Sequence, residues 1–389
     1  MLPQASSPVY RAIQFAIVVC GAYFVFALLF SPSEPQKWPR PSLHLSKDGF
    51  RDPKLEHIQN DTLGFEHIYA IGLKERTDKR DFLNLAASVT GIKVQWVDGV
   101  HIDELEQKAL PVGYNLSTMV PSIIACWRAH MNALNRVLEN SYSTALIMED
   151  DADWDLNIKS QLTEFARGLH ALKANASTDN APYGTAWDVL WIGGCSSTAG
   201  VNETEFYVIP NDPTVPSFSR RHTWSGPKDR WVEMYPEEST RFVYKAERGC
   251  CTFGYAVTQR GARKILAALS LDHVDVPVDI AMAELCGGEN GRDRLECYAP
   301  YPNIVGTFRQ GGPAYRNSDI VSNDDQSLQV AHSENMVYSS RLNIHRVLAG
   351  KPALSQWEEE APWSPKELPE NLEEFPYPRG YLVNELDGE

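Results

Sequence analysis

The chain has 389 residues, of which 43% are hydrophobic, and a formal net charge of −15 at pH 7. This length allows one large core or two modest ones, so one to three domains are expected. The acidic balance, with no lysine- or arginine-rich run, argues against a nucleic-acid partner, because phosphate binding needs a basic face.

An apolar segment near the N-terminus predicts a membrane anchor. Residues 13–30 are almost all apolar and close to the length that a helix needs to cross about 30 Å of hydrocarbon. A cleaved signal peptide would have a shorter apolar core and a small-residue cleavage site, so an uncleaved signal anchor is favoured. Residues 1–12, with Arg11 as the only basic side chain, would then be a short cytosolic tail.

The features that follow the span give its orientation. Six of the seven cysteines lie there, an even number that suits an oxidising compartment, although fifteen pairings and buried free thiols all stay open. No Cys-x-x-Cys pair is present, which argues against a metal site made by these cysteines. N-glycosylation sequons also lie after the span, at Asn60, Asn115, Asn175 and Asn202. We therefore expect a single-pass type II protein of the Golgi or endoplasmic reticulum membrane with a lumenal body.

The lumenal part is predicted to have three sections. Residues 31–64 are rich in proline and should form an extended stem that contributes no core. Residues 65–350 should form the folded domain. Residues 351–389, rich in proline, glutamate and tryptophan, are expected either to wrap this domain or to stay disordered.

The folded domain opens with a β-α-β pattern. A strand over residues 67–73 is followed by a helix that begins at Thr77 or Asp78 as N-cap and ends near Val89, and by a second strand over residues 92–97. This order predicts a parallel sheet with crossover helices, which places the domain in the α/β class.

Two segments in the first half of the folded domain carry charged side chains whose roles stay open. Arg76 and Arg80 lie four residues apart on one helical face near a strand end, where they could hold a diphosphate or form an ordinary solvated face. Residues 121–138 predict an amphipathic helix that packs on the sheet. Arg128 and His130 lie off its apolar stripe, and neither is assigned a chemical role, since a lone histidine there is more often solvated or hydrogen-bonded than catalytic.

An acidic run at the end of an apolar strand is the main candidate site. Residues 144–148 predict a buried parallel strand, and Glu149, Asp150 and Asp151 follow it. Ligands of open α/β sheets bind at the carboxyl ends of strands. A cation would relieve the repulsion between neighbouring carboxylates, and ligands that are all oxygen indicate Mg²⁺ or Mn²⁺ held together with substrate phosphates.

The acidic run has two other interpretations. Asp151, Asp153 and Asp155 have the alternating spacing of a calcium loop, but Leu156 and Leu162 replace the glycine and glutamate that an EF-hand requires. A solvated acidic turn that caps the helix predicted over residues 158–172 remains the alternative.

The second half of the domain is predicted to add strands and a lid. Residues 187–192 should form a strand whose following glycines, Gly193 and Gly194, let a ligand or another backbone approach. Residues 201–236 should be a long loop or small subdomain over the site. Strands are also expected over residues 252–258 and 298–309. Asp279 precedes an apolar helical run, where it could be an N-cap.

Several segments together resemble glycosyltransferase family 25, the lipooligosaccharide and procollagen galactosyltransferase family. The match runs from residue 68 to about residue 320 and keeps the family's order. It includes an opening strand with Arg-x-x-x-Arg, a helix ending in histidine, the acidic strand end and three later motifs, at residues 68–80, 125–130, 145–151, 254–258, 277–279 and 318–320. Ala129 departs from the family's usual serine before the histidine, and residues 201–236 resemble an insertion.

The resemblance implies a GT-A type fold, a Rossmann-like mixed sheet with flanking helices. It also implies Mn²⁺- or Mg²⁺-dependent transfer of a hexose from a UDP-sugar to a glycan or glycoprotein acceptor, with inversion at the anomeric carbon. By position, Glu149 and Asp151 would bind the metal and Asp150 would lie against the donor, with Arg76 and Arg80 bordering the nucleotide. Inverting transfer needs a base near the acceptor hydroxyl, for which Asp279 is the first choice and Asp319 the second.

Family members act on lipid-linked glycans or on collagen hydroxylysine, so the acceptor is left open. Two rival functions compete with this interpretation. A membrane-tethered lectin or scaffold without catalysis would not need both the acidic run and Asp279. A metal-dependent hydrolase would need further ligands, and no histidine pair sits at ligand spacing beside the acids.

Overall fold

The computed structural model describes residues 53–172, 181–221, 226–320, 327–368 and 377–387. The predicted anchor, residues 13–30, lies outside these ranges, together with the cytosolic tail and most of the stem. Within these ranges no helix combines the length and the apolar character that a membrane span requires.

The helices follow the apolar periodicity of the sequence, and the predictions over residues 121–138 and 158–172 are confirmed. Gly91, with φ of +63°, follows the second helix as expected of a stop signal. The α-helices of the described ranges are α1 (Pro53–Glu56), α2 (Thr77–Val89), α3 (Pro121–Glu139), α4 (Ile158–Leu172), α5 (Asp229–Met234), α6 (Gln259–Leu266), α7 (Val278–Gly287) and α8 (Ser340–Leu348).

The strands form one large mixed sheet and two small ones. The large sheet contains β1 (His67–Gly72), β2 (Gln95–Asp98), β3 (Thr144–Glu149), β5 (Val189–Gly193), β6 (Ser196–Ala199), β7 (Glu205–Ile209), β8 (Arg241–Cys250), β9 (Gly254–Thr258), β10 (Cys297–Tyr301) and β15 (Tyr381–Asn384). The small sheets contain β4 (Ala152–Trp154), β11 (Val305–Arg309) and β14 (His332–Ser333), and β12 (Gly312–Pro313) with β13 (Ser327–Leu328).

The strand order of the large sheet is β15-β7-β8-β10-β5-β9-β3-β1-β2, and β6 pairs with β8. The strand β1 is parallel to β2 and to β3, as the β-α-β pattern predicts, whereas β3 and β9 are antiparallel. The prediction of an α/β fold with a mixed sheet and flanking helices is therefore confirmed.

Helices cover both faces of this sheet, because successive side chains of a strand point to opposite sides. Ala145 and Ile147 of β3 pack in the same buried cluster as Trp127 of α3. Leu146 packs in the other cluster, with Phe165 of α4. The strand β3 is therefore buried on both faces, and only its carboxyl end opens toward a ligand.

The prediction of a single strand over residues 298–309 is wrong, because this segment forms two strands that belong to different sheets. The strand β10 belongs to the large sheet, and β11 pairs with β4 and β14. Pro302 lies between them and lacks the N–H that a continuous ladder would need.

A Cβ on Gly193 would lie 2.7 Å from the Cβ of Val305, so this glycine admits a neighbouring strand and not a ligand.

The prediction that residues 201–236 form a lid over the site is wrong. The strand β7 and the helix α5 come from this segment, and β7 sits between β15 and β8 at the far edge of the large sheet. Its residues Phe206, Val208 and Ile209 are buried. The continuous apolar run of β7 therefore completes the core at the edge opposite β1 and β2.

Both ends of the described chain belong to the packed body. Leu55 and Ile58 are buried in the same cluster as Phe65, so the expectation that the stem contributes no core is wrong for its last residues. At the other end, β15 pairs antiparallel with β7. The C-terminal residues that the structure describes therefore wrap the body.

Four of the six cysteines after the predicted span form two disulfides, Cys195–Cys251 and Cys286–Cys297. Cys126 and Cys250 remain free thiols. Both alternatives that the sequence left open, disulfides and free thiols, are therefore present in one body.

Candidate active site

A cavity of about 810 Å³ opens at the carboxyl ends of β1, β2 and β3. It is bounded by α3 on one side, by the start of α7 on another, and by the segment that follows β11. The five candidate carboxylates that the sequence singled out all line it, namely Glu149, Asp150, Asp151, Asp279 and Asp319. Neither Arg76 nor Arg80 lines the cavity, although Lys79, which lies between them in the sequence, does.

Glu149 is the last residue of β3, and one of its carboxylate oxygens is held by two side chains. The Thr252 hydroxyl donates to Oε1 at 2.5 Å, and His130 Nε2 lies 3.3 Å from the same atom. Burial, the largest single effect, opposes the ionisation of Glu149, but the combined effects of His130, Thr252 and Lys79 outweigh it, and the pKa of the carboxyl is lowered overall. Glu149 is therefore held as a carboxylate at the edge of the cavity.

Asp150 faces a buried ammonium group. Lys79 Nζ donates to Asp150 Oδ1 at 2.9 Å, and only about a tenth of either side chain is exposed. Burial raises the pKa of Asp150 to about 6, against the lowering effect of Lys79. Lys79 thus compensates charge beside the acidic run, and sequence reasoning gave it no role.

Asp151 has an oxygen with no partner inside the described protein. Its Oδ1 is buried and accepts no hydrogen bond, whereas Oδ2 lies 3.6 Å from Arg309 Nη1. A buried carboxylate oxygen left unpaired is costly, so its environment is completed by something that the protein alone does not supply. A cation bound at Oδ1 would satisfy it.

The donor set fits a hard divalent cation. Glu149 and Asp151 offer oxygen ligands at one end of the cavity, and Mg²⁺ or Mn²⁺ is typically held by one or two carboxylates together with substrate phosphates. Among the described His, Cys, Asp and Glu residues, three ligand atoms approach within 4.8 Å only at Cys195, Cys250 and Cys251. That sulfur group is an unsuitable metal site, since Cys195 and Cys251 are joined in a disulfide.

The rest of the acidic run has a structural role. Asp153 and Asp155 are fully buried, so the interpretation of the run as a solvated turn is wrong for these two residues. Asp153 accepts hydrogen bonds from the hydroxyls of Ser339 and Ser340 at the start of α8 and from that of Ser333 in β14. The run therefore divides into residues that face the cavity and residues that bind α8.

Asp279 lies in the first turn of α7, but it does not cap that helix. The N-cap is Pro277, and Asp279 Oδ2 accepts a hydrogen bond of 2.9 Å from the backbone N–H of Cys251. The N-cap interpretation of Asp279 is therefore wrong. The hydrogen bonds that its carboxylate makes with described residues fall on Oδ2, which leaves Oδ1 for a ligand.

Asp319 is bound by two cations, one on each carboxylate oxygen. Its Oδ1 pairs with Arg76, and its Oδ2 pairs with Lys79 at 2.7 Å. Arg76 is the N-cap of α2, so the expected N-caps Thr77 and Asp78 are wrong, and Asp78 instead pairs with Arg76. This network fastens the segment after β11 to α2 beside the cavity.

Arg80 does not line the cavity, and other protein groups bind its guanidinium. Its guanidinium donates to the backbone oxygens of Gly72 and Leu73 and pairs with Asp98, and it lies over the Trp96 ring at 4.5 Å. These contacts tie the end of β1 to β2. A nucleotide-binding role for Arg76 and Arg80 stays a prediction, with both residues at the border of the site.

Sequence reasoning left out four side chains that complete the site: Lys79, His130, Thr252 and Arg309. His130 is only 1% exposed, and its distance from the apolar stripe of α3 gave no sign that it turns toward Glu149. The available signal was its position at the end of a motif shared with family 25. Lys79 could have been suspected because it stands between Arg76 and Arg80.

The part of the chain that carries the acidic run is similar to known glycosyltransferases. The model of glycosyltransferase family 25 (LPS biosynthesis protein) matches residues 65–186. Procollagen galactosyltransferase 1 of Danio rerio is 21% identical over 253 residues, 61% of this chain and 33% of the relative. Procollagen galactosyltransferase 2 of Homo sapiens is 22% identical over 230 residues, 56% of this chain and 30% of the relative.

A third relative is named as inactive. Inactive glycosyltransferase 25 family member 3 of Homo sapiens is 21% identical over 249 residues, 61% of this chain and 33% of the relative. The chain thus spans about a third of the length of the curated relatives it matches. The matched residues 65–186 contain Lys79, His130 and the whole acidic run. The resemblance of this chain to glycosyltransferase family 25 is therefore confirmed.

Proposed function

We propose that this chain is a metal-dependent, inverting glycosyltransferase with a GT-A type fold. It would move a hexose, galactose or glucose, from a UDP-sugar to a glycan or glycoprotein acceptor. The observation that carries this proposal is the unpaired, buried Oδ1 of Asp151, in a cavity that also holds Glu149, Asp150 and Asp279. The names of the galactosyltransferase relatives support the same class of reaction.

Glu149 and Asp151 are the residues that would hold Mn²⁺ or Mg²⁺. When bound, such an ion neutralises the charge that develops on a diphosphate leaving group. Lys79 and Arg309 line the same end of the cavity and add positive charge there. Asp150, which accepts a hydrogen bond from Lys79 and lines the same cavity, would lie against the donor.

Asp279 is the residue proposed to accept the proton of the acceptor hydroxyl. The Cys251 N–H holds its Oδ2, so the carboxylate is fixed while Oδ1 stays available. Asp319 is less suited to this step, because both of its oxygens are occupied by Arg76 and Lys79. A base needs an oxygen that is free to accept a proton, and the free Oδ1 of Asp279 in the cavity supports this assignment.

The test of the proposed reaction is a donor panel. The full chain in detergent would be incubated with Mn²⁺, separate UDP-sugars and a mixture of glycan and glycoprotein acceptors. UDP is expected to be released from one UDP-hexose as the hexose passes to an acceptor hydroxyl, and this release should stop when the metal is chelated. A binding-only protein is the second candidate, because one relative is named inactive. Binding of UDP without release from any sugar would favour that candidate, and release without added or bound metal would contradict metal dependence.

We also propose that residues 13–30 anchor the chain with its body in the lumen of the Golgi or endoplasmic reticulum. Two observations support this location: the disulfides Cys195–Cys251 and Cys286–Cys297, and the exposure of the sequon residues Asn60, Asn115 and Asn202. Glycosidase treatment of the expressed protein should increase its gel mobility. No shift, together with digestion of the body by protease in intact microsomes, would reverse the orientation.

A further inference from the structure

The two oxygens of Glu149 have different surroundings. Oε1 receives the Thr252 hydroxyl at 2.5 Å and faces His130 Nε2 at 3.3 Å. Neither of these contacts involves Oε2, and Glu149, with 23% of its side chain exposed, lines the cavity. The carboxylate is therefore held by one edge while the other edge is left for a ligand.

The protons on His130 can be assigned from its neighbours. Glu149 offers acceptor atoms only, so the proton that joins the two residues lies on Nε2 of the imidazole. The other ring nitrogen, Nδ1, lies 3.1 Å from the hydroxyl of Tyr255, which can then donate to it. Tyr255 is fully buried in β9, so this end of the chain of hydrogen bonds is rigid.

From this geometry we infer that His130 is a positioning residue for the proposed metal site. Tyr255 holds the His130 ring in place. His130 and Thr252 together then orient the Glu149 carboxylate so that Oε2 faces the ligand. The inference rests on the proposed function, since Glu149 is a proposed metal ligand. Hydrogen-bonded partners of this kind orient metal ligands, and their loss typically weakens metal affinity about 10- to 100-fold.

An ordinary packing role for His130 would make a different prediction. Its ring lies 5.7 Å from that of Tyr255, and a residue that only fills this space could be replaced by any polar side chain of similar size. A positioning role requires a donor at the place of Nε2. The packing role and the positioning role can therefore be separated by replacing His130 with either of two amide side chains, which place their N–H groups at different distances from the backbone.

The experiment compares His130→Gln with His130→Asn. The glutamine amide nitrogen can occupy the place of Nε2 and donate to Glu149, whereas the asparagine amide reaches only as far as Nδ1. Mn²⁺ would be titrated calorimetrically into each protein with UDP present, and thermal unfolding would be recorded without metal. We expect Mn²⁺ affinity within about threefold of wild type for His130→Gln and about 10- to 100-fold weaker for His130→Asn.

Other outcomes decide against the inference. Equal Mn²⁺ affinities in the two variants, whether unchanged or equally reduced, would overturn it. If both variants unfold too readily for titration, Thr252→Val and Tyr255→Phe remove the other hydrogen bonds of the chain, and wild-type affinity in both would overturn it as well. Absence of Mn²⁺ binding by the wild-type protein with UDP would overturn the proposed metal dependence, and this inference with it.

Discussion

Asp279→Asn is expected to leave Mn²⁺ and UDP binding intact and to lower turnover by about 10²- to 10⁴-fold, the range for removal of a positioned general base. The asparagine oxygen can still accept from the Cys251 N–H, so the local fold should persist. It cannot accept the proton of the acceptor hydroxyl. Turnover on the donor identified by the panel, measured beside calorimetric titration with UDP and Mn²⁺, tests this expectation.

Asp275→Asn is the matched control for this variant. Asp275 lies four residues earlier, is exposed, and contacts His273 at the surface and not the cavity. The same chemical change there should leave both turnover and binding at wild-type values. Near-normal turnover of Asp279→Asn would contradict the assignment, and the base would then be sought first at Asp319.

Asp151→Asn is expected to weaken Mn²⁺ and UDP-sugar binding together, because the diphosphate would be held partly through the ion. Loss of this ligand should lower kcat/KM by about 10²- to 10³-fold, as for other groups that stabilise charge in a transition state. Without metal, the variant should unfold at an equal or higher temperature than wild type, because one of three neighbouring carboxylate charges is removed. Calorimetry and metal-free thermal unfolding measure the two effects.

Asp229→Asn provides the corresponding control, since Asp229 is exposed in the first turn of α5, away from the cavity. It should bind Mn²⁺ and the donor as the wild type does. Unchanged Mn²⁺ affinity in Asp151→Asn would show that the unpaired Oδ1 serves another ligand. A large fall in the metal-free unfolding temperature would instead indicate that Asp151 stabilises the fold.

The two substitutions separate the two ends of the proposed reaction. Asp151 follows β3 in the acidic run, and Asp279 begins α7 on another wall of the cavity. Loss of Mn²⁺ binding in Asp151→Asn and loss of turnover alone in Asp279→Asn would show that different residues bind the metal and act as the base. The same defect in both would mean that the two carboxylates serve one function.

Local sequence was sufficient for the elements that carry the acidic run. The apolar residues 144–148 indicated a buried strand, and the periodicity of residues 121–138 and 158–172 indicated the two helices on its faces. These patterns are reliable because burial on one or two faces imposes a period on the side chains of the element itself. The position of Glu149, Asp150 and Asp151 at a strand end follows from the same pattern.

The roles of residues whose partners lie far away in the chain could not be predicted from local sequence patterns. Residues 201–236 lack a steady period, and only the pairing of β7 with β8 and β15 shows that they complete the sheet. The N-cap reading of Asp279 was reasonable for a carboxylate before an apolar helix. Its actual partner, the Cys251 N–H, lies 28 residues away in the chain.

The sequence by itself determined the class of fold, the acidic strand end and the family resemblance, since each depends on short segments of contiguous residues and on their order in the chain. Only the tertiary structure decided that Asp279 and Asp319 share a cavity with the acidic run, that Lys79 faces Asp150, and that His130 turns toward Glu149. The physical reason is that the order of strands in the sheet, and not the distance along the chain, sets which side chains meet at its carboxyl edge.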